Sequence, residues 1–88
     1  MIEQILDQRG KRYGDFADNA AVSQYLKQAM HSAPNWEIKP DNVREALENI
    51  QQKIARILNG DDRYPDNWVD IIGYAKLVLS EIDPEQST

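Results

Sequence analysis

The stretch from Asp41 to Gly60 limits the fold of this chain more than any other part of its sequence. Apolar residues recur there three and four positions apart, which places them on one side of a single α-helix. Pro40 and Asp41 suit the first turn of that helix, and Asn59-Gly60 is typical of a helix end. The apolar positions are Val43, Ala46, Leu47, Ile50, Ile54, Ile57 and Leu58. The sequence therefore predicts one long amphipathic helix in this part of the chain.

Two further helices are predicted before it. A short first helix is expected to end near Arg9–Gly10, because glycine often follows the last helical residue. The basic segment GKRYGDF, residues 10–16, is then typical of a turn. Asp18 or Asn19 can cap a second helix, whose apolar residues keep helical spacing to about His31.

The remaining segments are a break and a last helix. Residues 32–40 contain two prolines and are expected to form no regular element, with Trp36 and Ile38 folding back onto the core. The last helix is predicted from about Asp66 to Ile82. Its inner face is expected to consist of Trp68, Ile71, Ile72, Ala75, Val78, Leu79 and Ile82. No segment has the alternating pattern of a strand.

These helices predict an all-α fold, a small helical bundle of three long helices plus a short N-terminal helix. Residues 1–82 are expected to form a single helical domain, and residues 83–88 a flexible tail. A chain of 88 residues buries only about 60–65% of its unfolded surface, so its margin of stability is narrow. Two copies would gain by sharing a core, and the bundle is therefore expected to pack as a dimer.

Charge and composition argue against several classes of function. Ten Lys and Arg residues against fifteen Asp and Glu residues give a net charge of −5, which argues against general DNA binding. The absence of cysteine suits a reducing cytoplasm, and a lone histidine supports neither a zinc site nor a Ser-His-Asp triad. No apolar run approaches the roughly 18 residues of a membrane span, and no signal peptide is recognisable. We therefore expect a cytoplasmic protein without membrane association.

Lys53 lies within the apolar stripe of the Asp41–Gly60 helix, and Arg56 lies on its flank. Lys53 can bury its methylene groups and extend its ammonium group to water. Alternatively it reaches a carboxylate or a phosphate between helices, because a desolvated ammonium group needs such a partner. Together with Arg12 of the basic segment, these are the candidate residues for phosphate binding or ion pairs.

A second stripe on the last helix contains Asp66, Asp70, Gly73 and Leu77, on the side opposite its predicted inner face. Glycine inside a helix is about 1 kcal/mol less stable than alanine, so a solvent-facing position gives no reason for Gly73. The glycine is explained if another helix, from the same chain or a second copy, packs closely there. Asp66 alternatively caps the helix, and Asp70 is alternatively a solvated acid or the ion-pair partner of a candidate cation.

Paired acids also suit a magnesium ion, which takes oxygen ligands and combines one or two carboxylates with substrate phosphates. Asp66 and Asp70 lie about one helical turn apart, and Glu45 and Glu48 are available on the preceding helix. These four acids are the candidate metal ligands, and magnesium is the candidate cofactor. Glu45 and Glu48 lie opposite the apolar stripe, so the alternative is that both simply face solvent.

Three segments resemble a small phage and prophage protein family of unknown function. They are RYG at Arg12–Gly14, KIAR at Lys53–Arg56 and DNWVDIIGYA at Asp66–Ala75. Members of that family carry R-x-x-x-Y-G, K-I-A-R and D-S-W-x-D-I-A-G-Y-A in this order, and Arg9 fits the first arginine by spacing. The resemblance spans roughly Ile5 to Leu79 and implies a phage or prophage origin, without an activity. The sequence departs from the pattern at Ile72, where alanine is usual, and in a longer segment at residues 29–40.

A more distant resemblance is to the all-α nucleotide pyrophosphatases of the MazG and dimeric dUTPase type. Those enzymes hold Mg²⁺ against a nucleoside triphosphate with E-E-x-x-E on one helix and E-x-x-D on the next. REALE at Arg44–Glu48 and NWVD at Asn67–Asp70 have compatible spacing, with an arginine and an asparagine where acids are expected. The resemblance implies an incomplete acidic site built from the four candidate metal ligands.

Two functional hypotheses follow from these observations. The first is a self-associating helical module that binds a protein partner, with Lys53 in an ion-pair network and Gly73 in a helix contact. The second is a Mg²⁺-dependent nucleoside triphosphate pyrophosphatase, or a nucleotide-binding relative of one. The first is favoured because the acidic pattern is incomplete.

Overall fold

The computed structural model describes residues 2–87, so that Met1 and Thr88 lie outside the described part of the chain. The α-helices are α1 (Ile2–Tyr13), α2 (Phe16–His31), α3 (Asp41–Asn59) and α4 (Pro65–Ile82). A single 3₁₀ turn, Pro84–Ser87, follows α4 within the segment expected to be a flexible tail. No strand occurs within residues 2–87, and the predicted all-α class is confirmed.

Helix α1 is longer than predicted and includes Gly10 and the basic residues after it. The end predicted near Arg9–Gly10, and the turn predicted at residues 10–16, are therefore wrong. Gly14 ends the helix instead, with a φ of 83° and an N–H that donates to the Gly10 carbonyl oxygen at 2.9 Å. Glycine adopts a positive φ more readily than any other residue, which suits Gly14 to the helix end. Gly10 can remain inside the helix, because glycine there destabilises it by only about 1 kcal/mol relative to alanine.

Helix α2 starts at Phe16, directly after Asp15, so the predicted caps Asp18 and Asn19 lie in its first turns. The predicted end at His31 is confirmed. Ser32 follows it, and its hydroxyl donates to the Gln28 carbonyl oxygen at 2.7 Å. Such a bond satisfies one of the carbonyl groups that a helix end leaves without an intrahelical donor.

The segment between α2 and α3 contains no regular element, as predicted. Trp36 is buried, with its ring centroid 5.0 Å from that of His31, and its predicted return to the core is confirmed. The same prediction is wrong for Ile38, which is 77% exposed. The two residues lie in a turn in which the Lys39 N–H donates to the Trp36 carbonyl oxygen at 3.1 Å.

Helix α3 occupies the centre of the molecule and has the predicted bounds. It contacts α2 on one side and α4 on another, and it also contacts α1. Within the described residues α2 and α4 do not contact each other. The molecule measures 43 × 33 × 20 Å, a flat shape that leaves one side of the helices open.

Helix α4 is rotated relative to the prediction. Its buried side carries Asn67 with the partly buried Ile71, Tyr74 and Val78, about 70° around the helix from the predicted centre. Ile71 and Val78 belong to the predicted inner face, but Trp68, Ile72, Ala75, Leu79 and Ile82 are exposed. The prediction assumed that all seven apolar residues of the inner face pack against α3. In the structure α3 receives polar side chains of α4 as well.

The buried core is small for a chain of this length. Among the described residues, fifteen large apolar side chains are exposed, whereas the buried apolar residues are Trp36, Ala46 and Ala55. The accessible surface is 6622 Å², while a compact protein of 10.1 kDa exposes about 5,300 Å². The radius of gyration is 15.0 Å, against about 12 Å for a compact domain. A single chain therefore leaves roughly 1,300 Å² of extra surface in contact with water.

No helix in the described part of the chain combines the length and apolar character needed to cross a bilayer.

Candidate functional site

The end of α1 is joined to the turn between α3 and α4 by direct backbone contact. The Asp61 N–H donates to the Arg12 carbonyl oxygen at 2.8 Å. A Cβ atom on Gly14 would lie 2.2 Å from the Asn59 carbonyl oxygen, and one on Gly60 would lie 2.1 Å from the Arg12 carbonyl oxygen. Both positions therefore require glycine, because no backbone atom can move away from such a clash cheaply. This contact brings the RYG segment next to the end of α3 and the start of α4.

Two arginines and two tyrosines stack at this junction. The Arg12 guanidinium lies over the Tyr64 ring, 4.8 Å from its centroid, and that of Arg56 lies over Tyr13 at 4.5 Å. The two rings meet edge to face, with centroids 6.3 Å apart. Each cation–π contact contributes about 0.5–1 kcal/mol at an exposed site. Two of the three candidate cations are thus held on tyrosine rings, and no described carboxylate pairs with either.

Tyr64 was not singled out by the sequence, although it also organises the start of α4. Its hydroxyl donates to Asp66 Oδ2 at 2.9 Å. This hydrogen bond raises the pKa of Tyr64, because ionisation would remove the donated proton and place two negative charges side by side. Tyr64 itself occupies the N-cap position of α4, with Pro65 next, so the interpretation of Asp66 as the cap is wrong. The Arg-Tyr pair that occurs twice, at Arg12-Tyr13 and at Arg63-Tyr64, was the sequence feature that could have indicated this stacked cluster.

Lys53 and Asp70 form an ion pair between α3 and α4. The Lys53 Nζ atom lies 3.0 Å from Asp70 Oδ2. The Lys53 side chain is only 12% exposed, while that of Asp70 is 45% exposed. The sequence left open whether Lys53 extends to water or reaches a partner between helices, and whether Asp70 is solvated or paired. In the structure the two residues pair with each other. Since most of the lysine is out of water, the carboxylate provides the charge compensation that its ammonium group needs.

The four candidate metal ligands do not come together. Glu48 Oε1 lies 3.3 Å from His31 Nε2, and Glu45 Oε1 accepts a hydrogen bond from Asn49 Nδ2 at 3.1 Å. Asp66 and Asp70 have the separate partners described above. Within residues 2–87 no group of three or more histidine or acidic side chains is arranged to hold a metal ion. The magnesium cluster expected from the sequence is thus not assembled in the single chain, because α3 directs its glutamates to other partners than α4.

Gly73 and Leu77 lie on the exposed side of α4. No described atom comes within 4 Å of a Cβ atom placed on Gly73, so no helix of the same chain packs there. Together with Lys76 and Ser80 the two residues line a shallow depression. Of the two neighbours that could explain this glycine, the helix of the same chain is therefore excluded for the described residues.

An apolar groove runs between α3 and α4, and it is termed the α3/α4 groove. Its volume is about 290 Å³. It is lined by Val43, Ala46, Leu47 and Ile50 of α3 and by Ala75, Val78, Leu79 and Ile82 of α4. All eight lining residues are apolar, which is unusual for a surface open to water and typical of an interaction site. The groove was not predicted, because the same residues were expected to lie in a closed core.

Comparison with known proteins gives a family but no activity. A sequence profile for a domain of unknown function, DUF6378, matches residues 2–82. No curated protein matches the chain. No solved structure matches it either. The matched residues include α1 to α4 and the three segments RYG, KIAR and DNWVDIIGYA. The chain therefore belongs to the DUF6378 family of domains of unknown function.

Proposed function

We propose that the protein is a self-associating helical interaction module in which a second copy of the chain covers the α3/α4 groove. The observation that carries this proposal is the large apolar surface left open by the single chain. A stable protein–protein interface buries about 800 Å² on each partner. The roughly 1,300 Å² of surface beyond that of a compact chain is enough for one such interface. A homodimer would therefore give this short chain the core that it lacks alone.

The shape of this face favours a second copy over an unrelated partner. In a two-fold symmetric dimer the same patch of both subunits is buried, so a patch must be complementary to itself. The face offers both a groove and, beside it on α4, the protruding side chains of Trp68 and Ile72. A ridge of one subunit can thus enter the groove of the other. Gly73 and Leu77 lie on the opposite side of α4, so a dimer formed through the groove would leave them exposed.

A phage or prophage origin and a cytoplasmic location are part of this proposal. The first is supported by the order of the three segments RYG, KIAR and DNWVDIIGYA. The second is supported by a cysteine-free sequence. A helical module of this kind would present its remaining surface to a host or phage protein.

A Mg²⁺-dependent nucleoside triphosphate pyrophosphatase is the alternative, carried by the spacing of REALE and NWVD alone. The separate partners of Glu45, Glu48, Asp66 and Asp70 argue against it. Release of pyrophosphate from a panel of nucleoside triphosphates in the presence of Mg²⁺ would restore it. Such activity would have to disappear in Asp70→Asn to be assigned to these acids.

The oligomeric state tests the proposed module directly. Sedimentation equilibrium of the wild type should give about twice the chain mass of 10.1 kDa. Ile82 lines the groove and is 75% exposed, so Ile82→Glu should leave the subunit folded but separate the copies. Ile38 is exposed to the same degree outside the groove, which makes Ile38→Glu a matched control that should stay dimeric. A monomeric wild type, or equal behaviour of the two variants, would refute the proposal.

A further inference from the structure

A second depression lies between α1, the start of α2 and the last turns of α3, and it is termed the arginine cleft. Its volume of about 640 Å³ falls within the roughly 300–1,000 Å³ of small-molecule sites. None of its lining residues belongs to the α3/α4 groove. The cleft is thus a separate feature that self-association through the groove does not explain.

Two guanidinium groups line this cleft in a protein of net charge −5. Neither Arg9 nor Arg56 pairs with a carboxylate among residues 2–87, although Arg44 elsewhere does so with Asp41. Asp15 is the acid among the described lining residues, so the lining carries a net positive charge. A guanidinium presents its N–H groups in a planar fork that matches the oxygens of a phosphate. Two unpaired forks at one cleft therefore favour an anion with two negative charges.

Aromatic and amide groups complete the lining. Phe16 is 82% exposed, more than any other large apolar side chain of the described residues. Such a ring gains by stacking on another flat ring. Asn19 also lines the cleft, and its amide oxygen is buried without a donor among the described residues. The exposed ring favours a ligand that combines a planar ring with its negative charge.

We infer that the arginine cleft binds a small phosphate monoester that carries a planar ring. Arg9 and Arg56 bind the phosphate oxygens, and Phe16 stacks on the ring of the ligand. Binding requires neither a metal ion nor any of the four acids discussed above, and it goes beyond the self-association proposed for the groove.

Three probes separate the contributions to binding. Full-length protein is titrated with phenyl phosphate, inorganic phosphate and benzyl alcohol at constant ionic strength, and amide ¹H–¹⁵N shifts are recorded. Phenyl phosphate should bind about tenfold tighter than inorganic phosphate, because a stacked ring contributes about 1–3 kcal/mol. The shifts should centre on Gly10, Gly14 and Asn19. The absence of saturable shifts at about 10 mM phenyl phosphate would overturn the inference.

A matched pair of variants distinguishes a built site from general attraction of anions. Arg9→Gln should weaken phenyl phosphate binding at least about tenfold, since a charge-assisted hydrogen bond is lost. Lys11→Gln removes the same charge from the same helix outside the cleft, and its effect should stay below about twofold. Phe16→Ala should weaken phenyl phosphate but not inorganic phosphate. Equal weakening by Arg9→Gln and Lys11→Gln would overturn the inference.

Discussion

The ion pair between Lys53 and Asp70 should respond asymmetrically to loss of its two partners. Asp70→Asn leaves an ammonium group that is only 12% exposed without its counter-charge. Breaking a fully buried pair in this way destabilises by about 3–5 kcal/mol. Because Asp70 is 45% exposed and asparagine keeps an acceptor, a smaller loss of about 2 kcal/mol in unfolding free energy is expected.

Lys53→Met should be far milder. Methionine keeps the buried methylene groups of the lysine, and the carboxylate that loses its partner is half in water. Replacement of a buried charge by an apolar group of similar size is often neutral, so a change below about 0.5 kcal/mol is expected. The double variant should then be as stable as Lys53→Met alone, which corresponds to a coupling energy of about 2 kcal/mol.

The assay is a double-mutant cycle from urea unfolding followed by circular dichroism. All four proteins carry Ile82→Glu, so that association does not contribute to the measured stability. The exposed pair of Arg44 and Asp41 within α3 serves as a control, with an expected coupling below about 0.5 kcal/mol. Equal losses for Lys53→Met and Asp70→Asn, or a coupling no larger than that of the control pair, would refute the reasoning.

Two further predictions concern the stability effects of alanine at two glycines and the ionisation of Tyr64. Gly60→Ala should destabilise by more than about 2 kcal/mol because its Cβ meets backbone at 2.1 Å, whereas Gly10→Ala, with open space inside α1, should stabilise by about 0.5–1 kcal/mol. Thermal unfolding of the two variants checks this, and loss of stability in both would contradict it. The hydrogen bond to Asp66 raises the pKa of Tyr64 above 10.0. The stability that this hydrogen bond contributes is therefore present below about pH 10 and is lost as pH rises through the pKa of the folded state. Difference absorbance titration against Tyr64→Phe should show the shift, and Asp66→Asn should reduce it; an unshifted phenol in the wild type would contradict the assignment.

The helices themselves could be predicted well where periodicity and end signals agree. The bounds of α3 follow from its apolar spacing together with Pro40 and Asn59-Gly60. The end of α1 could not be predicted, because Gly10 and Gly14 carry the same local signal. Only contact with the distant Asn59 decides between them.

The ion pair of the candidate site could be predicted from the sequence, whereas the orientation of α4 could not. An apolar stripe containing Lys53 indicates a buried cation in need of a partner, and Asp70 was one of few acids within reach. The orientation of α4 was not predictable, because apolar residues that a single chain leaves exposed look the same in sequence as core residues. Ile72 and Ile82 belong to this class. The contact between Tyr13 and Tyr64 was not predictable, because the repeated Arg-Tyr pair does not show that the two segments lie together.

The backbone contact between Arg12 and the α3–α4 turn has a consequence for how the molecule opens. Helix α1 buries no residue along its whole length. Its last turn is held by a hydrogen bond from Asp61, by the close backbone contacts at Gly14 and Gly60, and by the stacked rings. Its first turns are exposed to water. Segments with few buried contacts detach at a fraction of the free energy of complete unfolding. The first helix is therefore a separate unit of opening, and its release would dismantle the arginine cleft while the pair of α3 and α4 stays folded.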